Sequence, residues 1–156
     1  MSYNDPTGQT SVSNTIYFFE WLFGLGPRYR NYGPNSLQTQ EMEDSIAAQQ
    51  MRDAFHSAGC KNLKHLYYGT FQAYWDTTAN PFTADWGSTA FEVGGFAGGS
   101  VTNNGNGTAT YSFPNVSGTH SFWFHLVPDR KSPTGMMSNI TQVFTWTEPT
   151  GCGCQQ

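Results

Sequence analysis

Asn103-Asn104-Gly105-Asn106-Gly107-Thr108-Ala109-Thr110-Tyr111-Ser112-Phe113 joins a glycine-bearing polar turn to a strict alternation of side chains. Asn-Gly pairs accept the positive φ angles that tight hairpins require. The alternation then places Ala109, Tyr111 and Phe113 on one face and Thr108, Thr110 and Ser112 on the other, the period of a half-buried strand. This stretch decides the fold class, because it makes the C-terminal half an antiparallel β-structure.

Working towards the C-terminus, Asn115-Val116-Ser117-Gly118 reads as another turn, and Ser121 to Val127 as a doubly apolar, central strand. A Pro/Gly loop at 128–135 leads to a last strand at 139–147. On that strand Ile140, Gln142, Phe144 and Trp146 share a face. Gln142 interrupts an apolar row, so its amide is expected either to bridge core backbone groups or to point into a ligand pocket. Working back from the hairpin, Phe91 to Val101 is a glycine-loosened strand and Leu66 to Trp75 another.

Before residue 66 the pattern is helical. Asn35 or Ser36 caps a helix in which Ala47, Met51, Ala54, Phe55 and Ala58 form an apolar stripe joined by Met42 and Ile46. Glu41, Glu43 and Asp44 fall in its early turns, where the helix dipole favours anions, and Gly59 ends it. His56 lies in its last turn, a structural role. Further upstream, Ile16 to Gly26 is an apolar run carrying one charge, Glu20, and closed by Gly24, Gly26 and Pro27. It is too short to span a bilayer. The expected class is therefore α+β, an N-terminal helical segment packed on a C-terminal antiparallel β-meander.

The 156 residues suit one domain. Only 12% are charged and 16% are aromatic, which points to aromatic packing rather than ion pairs. A net charge of −4 argues against stable nucleic-acid binding through many phosphates, though not against cleavage of a single phosphodiester. Three cysteines, Cys60, Cys152 and Cys154, make no disulfide framework, and the last two read as inert tail thiols. No HExxH, zinc-deaminase, calcium-loop, phosphate-loop or G-x-S-x-G motif is present, so no metal and no cofactor is expected.

The candidate chemistry rests on scattered polar residues. Arg28 and Arg30 stand two apart among tyrosines, in a short basic-aromatic loop between two Gly-Pro pairs, and suit the capture of a phosphate or carboxylate. His120 and His125 flank or lie in the 121–127 strand, Arg130 follows it, and Glu148 ends the last strand. If those two strands are antiparallel neighbours, His120 approaches Glu148. A histidine and a glutamate with a separate arginine are the minimal equipment of a metal-independent RNase. The expected catalytic set is His125, Glu148, Arg30 and His120, with Arg28, Arg130, Gln142 and Trp146 binding substrate.

Tyr3-Asn4-Asp5-Pro6-Thr7-Gly8 resembles the closing motif of the core of Rhs/YD-repeat proteins, where an Asp-Pro-x-Gly element ends the β-shell and a variable C-terminal domain begins. Gly26, Pro27, Arg30 and Met42, then Gln142, Trp146, Thr147, Glu148 and Pro149, loosely resemble C-terminal domains of such proteins. The resemblance implies a division into the end of the core and a linker at 1–14, one toxin domain at 15–150 and a flexible tail at 151–156. It implies a growth-inhibiting effector, secreted or injected by a bacterial secretion system and acting in the recipient cell. A cognate immunity protein and the parent shell would be its partners. It names no reaction. Besides an enzymatic toxin, a membrane-perturbing toxin using residues 16–26 and a non-toxic carbohydrate-binding β-module with exposed tryptophans fit the same composition.

Overall fold

In a computed structural model of the chain, residues 9–68, 96–118 and 134–152 are described. Their order is α1 (Gln9–Phe23), β1 (Tyr29–Tyr32), α2 (Leu37–Glu43), α3 (Ile46–Ser57), β2 (Leu63–Tyr68), β3 (Phe96–Asn103), β4 (Thr108–Ser117) and β5 (Ile140–Pro149). The strands form one sheet in the order β1-β5-β4-β3-β2. The α+β class is as expected, but the sheet is mixed. Tyr29–Tyr32, read from sequence as a basic-aromatic loop, is a strand lying parallel to β5, with Arg30 opposite Gln142 and Tyr32 opposite Phe144.

The 103–108 hairpin forms as its residues dictate. Asn104 N–H donates to the Thr108 carbonyl at 3.0 Å, and Gly105 and Gly107 take φ of 75° and 81°. Ala109, Tyr111 and Phe113 point inward and are essentially fully buried. The strand does not turn at Asn115, however. β4 continues to Ser117 and pairs with β5 along its whole length, from Thr108 opposite Pro149 to Ser117 opposite Ile140. Pro114 is tolerated because the β3 register covers only Ser112 to Ala109, and a missing N–H beyond that ladder loses no partner there.

The single helix expected after Ser36 is two. Ser36 caps α2 by accepting from Thr39 N–H, and Ser45 caps α3 by accepting from Ala48 N–H. Ser45 Oγ also donates to the Met42 carbonyl at 2.6 Å, which closes α2. Glu41 and Glu43 thus end one helix instead of opening a longer one, and Glu41 is buried. Met42, Ala47, Ala48, Met51 and Phe55 pack on Val101, Ala109, Tyr111, Phe113, Phe144 and Trp146. Trp146 stacks on Tyr111 at 5.2 Å between centroids, and Tyr32 on Phe144 at 5.0 Å. Each such side chain contributes about 1.5–3 kcal/mol by its burial.

α1 reaches back to Gln9, so Gln9–Asn14, expected as linker, belong to a helix. Asn14, Tyr17 and Trp21 face inward, and Tyr17 and Trp21 pack with Ile140 in a second, smaller cluster. Gly24 (φ 73°) ends α1, with Leu25 N–H donating to the Glu20 carbonyl at 2.7 Å. Cys60 and Cys152 are joined by a disulfide. This corrects the reading of Cys152 as an inert tail thiol: β5 carries the chain back to the end of α3, which chain spacing alone does not reveal.

Candidate functional site

Three adjacent strands place Arg30 (β1), Gln142 (β5) and Asn115 (β4) opposite one another. At about 4.8 Å per strand they make a polar row roughly 10 Å long. It separates the Tyr17–Trp21–Ile140 cluster from the larger one containing Phe144. Gln142, 1% exposed, lies between Ile140 and Phe144, and its Oε1 accepts from Asn115 Nδ2 at 2.9 Å and Ser117 Oγ at 3.1 Å. It bridges, though to the side chains of Asn115 and Ser117 rather than to the backbone groups expected; a buried amide left unbonded would cost about 1–3 kcal/mol.

At the other end of the row Arg30 pairs with Glu20 from α1, and its guanidinium sits 4.9 Å from the Tyr17 ring centroid. Burial works to lower the pKa of Arg30, but Tyr32 and Glu20 outweigh it and the net shift is upward. Arg30 Nε is buried and has no acceptor among the described residues. The side chains of Arg30 and Glu20 remain 20% and 30% exposed, so this end of the row is open to solvent. An arginine held over an aromatic face, with a carboxylate beside it and part of its side chain open to solvent, suits an incoming anionic or hydroxyl-bearing group. Gly26 keeps that carboxylate in place, since a Cβ there would come within 2.9 Å of Glu20 Cδ.

Arg28 does different work. Its Nη2 donates to the Gly24 carbonyl at 2.9 Å and the Gly135 carbonyl at 3.0 Å, binding the end of α1 to the segment before β5. Substrate binding by that nitrogen is thereby displaced by a structural role.

Glu148 is also committed. Arg52 of α3 donates to it through Nε at 2.7 Å and Nη2 at 2.8 Å, and Trp146 Nε1 donates at 3.2 Å. Burial raises the Glu148 pKa, but the Arg52 contacts more than offset this and hold it below the usual carboxylate value. Burial and the Glu148 charge together push Tyr111 up to about 12. Gln142 and Glu148 are six residues apart on β5, about 20 Å at 3.3 Å per residue, so Arg30 and Glu148 belong to no common site. Trp146 is 1% exposed and stacked in the core, out of a substrate's reach. Among the described residues the antiparallel neighbour of β5 is β4, with Glu148 opposite Ala109. His120, His125 and Arg130 lie outside the described residues.

Sequence reading missed Asn115, Ser117 and Arg52. The signal for Asn115 was present: one further step of the 109-111-113 alternation turns residue 115 inward. Arg52 carries no such signal, because its partner is 96 residues away. Comparison with family models, with curated proteins and with solved structures found no match for this chain.

Proposed function

We propose that this chain is the C-terminal toxin domain of an Rhs-type protein, acting enzymatically in a recipient cell, with the Arg30–Glu20 end of the polar row engaging an anionic group of the substrate. One observation carries the reading: Tyr3-Asn4-Asp5-Pro6-Thr7-Gly8, which resembles the motif that closes an Rhs core, is followed in the chain by residues that fold as α-helices on a five-stranded mixed sheet. The partly solvent-accessible Arg30–Glu20 pair, beside the Tyr17 ring, supports an enzymatic over a purely structural domain. A cognate immunity protein and the parent shell are the proposed partners, and delivery by a bacterial secretion system the proposed route.

Expression in a bacterium, once in the cytoplasm and once exported, tests this. Growth arrest with loss of a cytosolic polymer such as RNA, abolished by Arg30→Ala in a chain that keeps its near-UV circular dichroism, is the expected outcome. Harmless accumulation of folded protein in both compartments ends the toxin reading.

One observation favours a membrane-perturbing toxin as the second reading. Ile16, Phe19 and Phe23 lie on the outer side of α1, each half or more exposed, with Phe19 and Phe23 stacked. Among the described residues no helix is long and apolar enough to cross a membrane, so such a face would lie in the lipid interface. Dye leakage from liposomes that disappears in Phe19→Glu, without loss of RNA in cells, selects this reading. The carbohydrate-binding alternative loses support at Trp21 and Trp146, both buried; the other three tryptophans lie outside the described residues.

A further inference from the structure

His56, Cys60 and Cys152 converge where α3 ends and the chain emerges from β5. Gly59 (φ 67°) and Cys60 (φ 61°) are consecutive left-handed residues, a conformation L side chains adopt only at a cost. They fold the chain back so that Cys60 N–H donates to the Phe55 carbonyl at 3.0 Å and Cys60 Sγ lies 3.9 Å from His56 Nδ1. Cys152 arrives from the opposite direction. Thr150 is fixed to the Gly107 carbonyl, Cys152 N–H donates to Thr150 Oγ1 at 3.1 Å, and Cys152 Sγ lies 3.7 Å from the same Nδ1. The three ligand atoms all fall within 4.8 Å of one another. A helix dipole accounts for a histidine in the last turn. It does not account for one ring nitrogen lying against two sulfurs.

A tetrahedral zinc ion with Zn–N of about 2.05 Å and Zn–S of about 2.3 Å sets N···S edges of about 3.6 Å. Both observed N···S distances are already close to that edge. Only the two bonded sulfurs must separate, because a metal takes them as thiolates.

We propose that His56 Nδ1, Cys60 Sγ and Cys152 Sγ form a redox-gated site for a soft divalent cation of the Zn²⁺ class, its fourth position open to solvent. In the oxidised chain the sulfurs are bonded to each other and the site is closed. Two external thiols open it: they supply two electrons and two protons, leave as their own disulfide, and convert the cystine to two cysteines. The cation then binds two thiolates and the neutral imidazole, and two protons go to solvent. The end of β5 stays clipped to the end of α3 in either state, covalently under oxidising conditions and through the metal under reducing ones. This inference is independent of the toxin reading.

The test uses the full chain carrying Cys154→Ser, so that the remaining thiol cannot contribute. After phosphine reduction and removal of the reductant without air, Co²⁺ is titrated in, followed by Zn²⁺. The reduced chain should bind a stoichiometric ion with thiolate charge-transfer and tetrahedral d–d absorption, and the oxidised chain should bind none. His56→Ala should weaken binding about tenfold or more, and Cys60→Ser should remove the charge-transfer band expected of two thiolates. A reduced, folded chain that takes up neither ion overturns the proposal, as does unchanged affinity in His56→Ala. Should the reduced chain lose its near-UV signal, stoichiometric Zn²⁺ must restore it; failure to do so is equally decisive against the site.

Discussion

Arg52 and Glu148, 96 residues apart in the chain, meet in a two-pronged pair with N–O distances of 2.7 and 2.8 Å. The pair joins α3 to the far end of β5, and both side chains are mostly withdrawn from water. It is therefore a stabilising contact rather than half of a catalytic dyad. Glu148→Gln should cost about 1–3 kcal/mol at neutral pH. The sign of its pH dependence follows from a folded-state pKa below the unfolded one. The contribution is complete above about pH 4.3, the ordinary glutamate value, and is lost as pH falls through the lower folded value. Urea melts of wild type and Glu148→Gln should differ at pH 7 and converge in strong acid; a constant gap would contradict the assignment.

Glu43 behaves in the opposite sense. Burial first, then the Glu148 charge, raise its pKa, with Arg52 only partly compensating. Its ionised form is disfavoured by folding, so it weakens the fold above its raised pKa and ceases to do so below the ordinary glutamate value. Glu43→Gln should stabilise by a few tenths of a kcal/mol at pH 7, a small effect because solvent screens the group. The gain should vanish near pH 3, as measured by thermal melts at the two pH values.

Closing a loop of 92 residues, the Cys60–Cys152 disulfide should contribute about 4–5 kcal/mol in the chain-entropy account. Reduction in the presence of a chelator, Cys60→Ser and Cys152→Ser should each lower Tm by similar amounts. The double variant should match the single ones, since either change removes the same constraint.

Gly24 and Gly33 make a paired test of backbone approach. A Cβ on Gly24 would lie 2.4 Å from the Gly135 carbonyl carbon, at a φ of 73°, whereas one on Gly33 meets nothing within 4 Å. Gly24→Ala should destabilise by about 1–3 kcal/mol or more, and Gly33→Ala should be close to neutral. Equal denaturation midpoints would show that the end of α1 does not dock as described.

Arg28 and Arg30 should separate cleanly into stability and activity. Arg28→Ala removes two hydrogen bonds to carbonyls and should cost about 1–3 kcal/mol. Arg30→Lys keeps the charge but not the planar fork, and should reduce toxicity while leaving the near-UV spectrum unchanged. Growth assays alongside denaturation curves measure both; the reverse pattern would exchange their roles.

Much of the fold was legible locally. The 103–108 hairpin, the inward faces of β4 and β5, the Ser36 cap and the Gly59 stop all follow from interactions between residues a few positions apart. Those signals are strong because turn chemistry and side-chain period act over such distances. The candidate site was half legible: Arg30 and Gln142 stand out by composition and by the interrupted apolar face. Their meeting was not legible, because nothing near Tyr29–Tyr32 specifies which strand that segment joins.

By itself the chain's order of residues determined the class, the inward faces of β4 and β5, the cap at Ser36 and the stop at Gly59. Tertiary structure alone decided that β1 lies parallel to β5, so that Arg30 faces Gln142 while Glu148 is drawn off to Arg52. It alone decided that Cys60 finds Cys152. These pairings join segments about ninety or more residues apart, and only burial of the shared apolar clusters selects among the many partners such distances allow.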